Sequence, residues 1–142
     1  MEIKGIEIIK GGIAVDDRGS VRFINGFNFE GVKRFYQVQN HERGFIRAWH
    51  GHRKEGKYVY VAKGSALVGA VNLDTEVVDK KVVLTSCNPS VLYIPPGYAN
   101  GFKTLEEDTI IQFFSTSTLD ESLGDDIRFN FDKWDIWNIE YR

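Results

Sequence analysis

The chain has 142 residues, and its 18 Lys and Arg against 20 Asp and Glu leave a formal charge of only −2. That length suits one domain spanning 1–142, the 42% hydrophobic content excludes a disordered chain, and the weak charge offers no field for holding a nucleic acid. One cysteine, Cys87, allows neither an internal disulfide nor a zinc cluster, no apolar run approaches a membrane span, and Met1-Glu2-Ile3-Lys4 does not open like a secretion signal, so a soluble cytoplasmic protein is expected.

In chain order, β-branched and aromatic residues predict strands over 32–39, 45–52, 57–62, 66–73, 76–84, 90–94 and 109–115. Turn residues separate them, at Asn40-His41-Glu42-Arg43-Gly44, Lys63-Gly64, Asn88-Pro89 and Pro95-Pro96-Gly97. No stretch before residue 117 keeps a helical apolar period. A short helix is predicted over 118–123, with Thr118 as its cap and Glu121 completing a capping box. The alternating Trp134-Asp135-Ile136-Trp137-Asn138-Ile139 is expected to pack back over the strands. So many strands in about a hundred residues predict a sandwich or small barrel whose mouth holds one ligand.

The chemistry gathers around Gly44-Phe45-Ile46-Arg47-Ala48-Trp49-His50-Gly51-His52. Strand alternation puts His50 and His52 on one face with Ile46 and Ala48, and Arg47 on the other. From Gly44 the spacing runs five residues to His50-x-His52, four to Lys57 and six to Gly64, which resembles the first cupin motif. Pro95-Pro96-Gly97-Tyr98-Ala99-Asn100 resembles the second. The expected fold is therefore all-β, a cupin or double-stranded β-helix (jelly-roll) barrel with a short C-terminal segment. Metal-binding cupins place a glutamate and a third histidine where this chain has Lys57 and Asn100. An ammonium has no lone pair and repels a divalent cation, so no metal and no cofactor are expected.

A histidine and a buried lysine suit another task. An imidazole removes a proton near neutral pH, and an ammonium stabilises an oxyanion. Together they fit proton abstraction next to a ketone, with His50 as base and Lys57 facing the enolate oxygen. His52 either orients His50 or touches the sugar.

Arg47-Ala48-Trp49-His50, Gly56-Lys57, Val71-Asn72-Leu73-Asp74 and Ile94-Pro95-Pro96-Gly97-Tyr98-Ala99-Asn100-Gly101-Phe102, with the early Asp17-Arg18-Gly19, resemble the dTDP-4-dehydrorhamnose 3,5-epimerases. The resemblance implies a nucleotide-sugar substrate of the 4-keto-6-deoxy class, a homodimer and a place in deoxysugar and surface polysaccharide synthesis. It assigns His50 as base and Lys57 as enolate partner, with Arg47, and Arg18 reaching across a dimer, on the diphosphate. Asn40 is a further candidate, for the base or a sugar hydroxyl. Three departures stand out. The family's histidine in the proline-glycine motif is Asn100, and its acidic tyrosine falls near Phe113 or Phe114. Its aspartate behind the base belongs to a C-terminal segment absent from this shorter pattern, which leaves Asp125, Asp126, Asp132 and Asp135 as substitutes. The proton donor is then sought among Tyr98, Tyr60 and Tyr36, with Tyr98 placed first. His50-x-His52-Arg53-Lys54 also resembles the dTDP-sugar 3,4-ketoisomerases, the second reading. A metal-binding cupin and a non-catalytic sugar-binding module are the remaining alternatives.

Overall fold

Strand-forming residues set the architecture of the computed structural model, which describes residues 5–142. In order the elements are β1 (Glu7–Lys10), β2 (Gly12–Asp16), β3 (Gly19–Phe23), β4 (Arg34–Val38), β5 (Ile46–His52), β6 (Lys57–Lys63), β7 (Ser65–Asn72), β8 (Val78–Thr85), β9 (Ser90–Ile94), β10 (Tyr98–Thr104), β11 (Ile110–Ser115), α1 (Leu119–Leu123) and β12 (Ile127–Arg128). One five-stranded sheet runs β1-β9-β6-β11-β4, a second runs β12-β5-β10-β7-β8, and β2-β3 form a separate ribbon. From β5 onward the chain passes repeatedly between the two large sheets, giving the antiparallel jelly-roll barrel expected of a cupin. Reading the sequence missed β1, the β2-β3 ribbon and β12, and took β10 only as a motif. The predicted helix forms with its capping box, Glu121 N–H donating to Thr118 and Thr118 N–H to Glu121.

Strand alternation places Val59 and Val61 of β6, Ile111 and Phe113 of β11, Leu92 of β9 and Val68 of β7 inside the barrel as one buried cluster. A second cluster lies outside the β5-β10-β7 face, where Trp49, Leu67, Val71 and Ala99 are covered by Trp137 with Phe129, Trp134 and Ile136. The predicted return of the C-terminal segment is thus observed. Trp49 and Trp137 both donate their indole N–H to the carbonyl of Phe131, at 3.2 and 2.8 Å. Buried indoles need such a partner.

One irregularity governs the site. Along β5 and β10, Asn100 pairs with His50 but Phe102 pairs with Arg47, so Ala48 and Trp49 together oppose Gly101. This β-bulge inverts the alternation, and Arg47 joins His50 on the inner side rather than lying opposite it. Position 101 has no room for a side chain, because a Cβ there would stand 2.5 Å from that of Ala48.

Candidate active site

At one end of the barrel the inward positions turn polar and line a cavity of about 260 Å³. The first sheet contributes a cross-strand row of Arg34, Ser115 and Lys57, with Tyr36 stacked on Phe113 in the next row at 4.9 Å between ring centroids. The second sheet contributes Arg128, His50 and Asn100 as a row, and the bulge brings Arg47 beside Phe102. Helix α1 adds Leu119 and Leu123 at the rim.

His50, His52, Lys57, Asn100 and Arg47, all singled out in the sequence, therefore share one cavity. His50 is half-buried, and burial pushes its pKa below the ordinary imidazole value. The charges of Lys57 and Arg128 add to the fall, with Asp126 opposing it. The ring is accordingly neutral at pH 7 and free to accept a proton. Burial also lowers the ammonium pKa of Lys57, which is only 8% exposed, with Glu55 opposing and Arg34 reinforcing. Its Nζ lies 6.0 Å from the ring centroid of Tyr36 and 5.9 Å from that of Phe113. His52 is buried with Nδ1 2.5 Å from the carbonyl oxygen of Asp125. A carbonyl only accepts, so Nδ1 carries a proton and donates it there.

Two assignments need correction. Tyr98 does not line the cavity: from the start of β10 its hydroxyl donates to Asp79 of β8 at 3.0 Å. Tyr60 is no replacement, because it alternates with Lys57 and Val59 and faces away from the interior. Tyr36 is the cavity tyrosine, with its pKa pushed up to about 12 by burial and then by the charge of Glu55. Asn40 accepts a 2.7 Å hydrogen bond from Arg47 Nε, so it aims that arginine rather than lining the cavity. Arg18 sits on the exposed β2-β3 turn, paired with Asp16 at 2.6 Å and remote from this chain's own cavity.

The aspartate pair divides. The carboxylate of Asp125 accepts the backbone N–H groups of Arg53, Lys54 and Glu55, which fixes the loop between β5 and β6. Burial works against that charge, yet the three donors together hold the carboxyl below its ordinary range. Asp126 lines the cavity near His50 and pairs with Arg128 at 2.9 Å. A carboxylate thus shares the cavity with His50, carried by the segment entering β12, which the sequence alone leaves open. Arg34 and Arg128 also line the cavity and were missed in the sequence. The alternation Arg34-x-Tyr36-x-Val38 on β4 would have shown the first, but nothing in the sequence reveals that β12 joins β5. Among the described residues, no three His, Cys, Asp or Glu side chains converge as a metal site would require.

Comparison with known proteins matches residues 1–140 to the family described as dTDP-4-dehydrorhamnose 3,5-epimerase. The spore coat polysaccharide biosynthesis protein SpsL of Bacillus subtilis (strain 168) is 31% identical over 107 residues, covering 70% of this chain and 71% of that protein. The dTDP-4-dehydrorhamnose 3,5-epimerase of Sulfolobus tokodaii is similar in structure, with a TM-score of 0.78 and 28% identity over 96% of this chain and 82% of that one. The 3,4-ketoisomerase QdtA of Thermoanaerobacterium thermosaccharolyticum, a doubly substituted form in complex with TDP, shares the fold at a TM-score of 0.70 and 22% identity, covering 93% and 92% of the two chains. With motifs, barrel and cavity in agreement, this chain belongs to the dTDP-4-dehydrorhamnose 3,5-epimerase family, a family of sugar-nucleotide isomerases.

Proposed function

We propose that the chain epimerises a dTDP-linked 4-keto-6-deoxy sugar at C3, C5 or both, as a single cupin-type domain that needs no metal or cofactor. The observation that carries this reading is an imidazole on one sheet lining the same cavity as an ammonium and a phenol on the other. His50 takes the proton from the carbon beside the ketone, and the electron pair left behind moves onto the ketone oxygen. Lys57 stabilises that enolate oxygen. Tyr36 donates its phenolic proton to the opposite face of the carbon, which inverts the centre, and solvent restores both groups. A positioned base contributes about 10²–10⁴ in rate, and an oxyanion donor about 10²–10³.

The lining supports a doubly charged ligand. Arg34, Arg47, Lys57 and Arg128 face the cavity against one lining carboxylate, Asp126. The cavity, at about 260 Å³, falls just below the usual ligand-site range of about 300–1,000 Å³, so the sugar enters while the nucleotide rests at the mouth. Arg47, held by Asn40, meets the diphosphate, and Asn100 and His52 contact sugar oxygens. The β2-β3 ribbon exposes Val15 and Val21, apolar surface that a second copy covers in a homodimer, bringing Arg18 to its partner's cavity. The setting is surface polysaccharide synthesis in the cytoplasm, as the likeness to SpsL suggests.

A second reading, 3,4-ketoisomerisation, draws on the presence of both histidines in the cavity. One experiment separates the two. In heavy water with dTDP-4-keto-6-deoxyglucose, NMR is expected to show the C3 or C5 proton replaced by deuterium with the centre inverted, and His50→Asn is expected to slow this about 10³-fold. A 3-keto product would select the ketoisomerase, and untouched C3 and C5 protons would overturn both.

A further inference from the structure

Behind the cavity wall lies a charge that the reaction scheme leaves unused. Glu55 stands two residues before Lys57, in the loop leading into β6, with its side chain fully buried. Ser115 of β11 donates to one carboxylate oxygen at 2.5 Å, and Ser122 of α1 donates to the other at 2.7 Å. The cationic neighbour stands further off, Arg34 Nη2 at 3.4 Å, as does His52 Nδ1 at 3.4 Å. A carboxylate buried only to neutralise an arginine takes its planar fork with two short bonds. Here Arg34 offers one long contact, and its Nε is buried without an acceptor. The short bonds instead come from two neutral hydroxyls, which fix the carboxylate in direction without cancelling its charge.

We propose that Glu55 is a positioning residue of the reaction, a buried negative charge clamped by Ser115 and Ser122 that supports the Lys57 ammonium from behind the cavity wall. The inference rests on the enolate reading given above. Lys57 shares the cavity with Arg34 and Tyr36 from β4, His50 and His52 from β5, and Asp126 and Arg128 from the segment forming β12, and Glu55 lies two residues before it. Only Glu55 and Asp126 among these neighbours carry negative charge, and Asp126 is already paired with Arg128. Burial and Arg34 both work against the ammonium, while Glu55 is the larger of the two opposing influences. Without that charge, Lys57 loses its proton at lower pH, and the enolate oxygen loses its partner there.

The test is the pH dependence of deuterium incorporation into dTDP-4-keto-6-deoxyglucose. Wild-type rate is expected to hold until Lys57 deprotonates on the alkaline side. Glu55→Gln keeps the shape but not the charge, and should move that alkaline limb down by about one pH unit, equivalent to about a tenfold loss at a fixed pH above it. Glu55→Asp keeps the charge and should return the limb toward wild type even if its plateau rate is lower. A residue with only a structural role would lower the rate by one factor at every pH, and parallel profiles for the two variants overturn the proposal. Should Glu55→Gln fail to fold, Ser122→Ala loosens the clamp alone and is expected to shift the limb the same way by a smaller amount; an unmoved limb then decides against Glu55. Wild-type protein that incorporates no deuterium refutes the epimerase reading itself, a separate outcome.

Discussion

The two ends of the barrel use the same three strands for opposite purposes. Toward one end, Val38, Ile111 and Val61 form an inward row across β4, β11 and β6, and Ile111 and Val61 are fully buried. Four residues along the same strands, about 13 Å away, the row reads Arg34, Ser115 and Lys57. Tyr36, Phe113 and Val59 lie between, half aromatic platform and half core. The backbone is continuous through all three rows, so side-chain choice alone converts a packed interior into a reactive one. The polar row can be buried because the Glu55 carboxylate behind Ser115 answers its two cations, since an unpaired charge in that position would cost several kcal/mol. The apolar row gives the rigidity against which that arrangement is held.

That contrast can be broken most severely at the dry end. Ile111→Ala should lower unfolding stability by about 2–5 kcal/mol in a denaturant titration, while folded enzyme keeps its turnover within a few-fold. An equal collapse of turnover would show that the two ends are not separable. Tyr36→Phe sharpens the middle row. It removes one hydroxyl, and epimerised product is expected to fall about 10²-fold, whereas deuterium exchange persists because His50, once its proton has exchanged with solvent, can return a deuteron to the face it took the proton from. Exchange and inversion falling together would place Tyr36 elsewhere in the mechanism. The smallest effect is expected outside the barrel, where Thr118→Ala removes the cap of α1 and should cost about 1 kcal/mol with the rim residues Leu119 and Leu123 loosened.

Much of this was readable before any coordinates. The alternation of β-branched and polar residues, with glycine and proline between, is a local signal and gave most barrel strands and the capped helix. His50, His52 and Lys57 were legible because a spacing and a chemistry agreed. Arg47 was misplaced because simple alternation fails at a bulge, and nothing local announces that Gly101 faces two residues of β5 rather than one. Tyr98 was chosen over Tyr36 because both are tyrosines at strand positions, and only the pairing of β4 with β11 puts Tyr36 against Phe113. Nothing local announces the burial of Glu55, because hydroxyls from β11 and α1 close over it, contacts 60 and 67 residues away in the chain. Asp126 and Arg128 depend on a two-residue strand, too short for a periodic signature. What the sequence withholds is long-range juxtaposition, and the unread parts of this site all arise from it.

The outer aromatic layer has a consequence for the inner one. Trp49 and Phe129 exchange both backbone hydrogen bonds, and the Trp49 indole reaches Phe131. The residue next to the proposed base is thereby riveted to the segment that carries Asp126 and Arg128. That segment acts as a splint on the outside of the wall whose inside does the chemistry. Fraying there would unload two charged groups from the pocket while the rest of the barrel still stood, so catalytic competence should be more fragile than the fold that houses it.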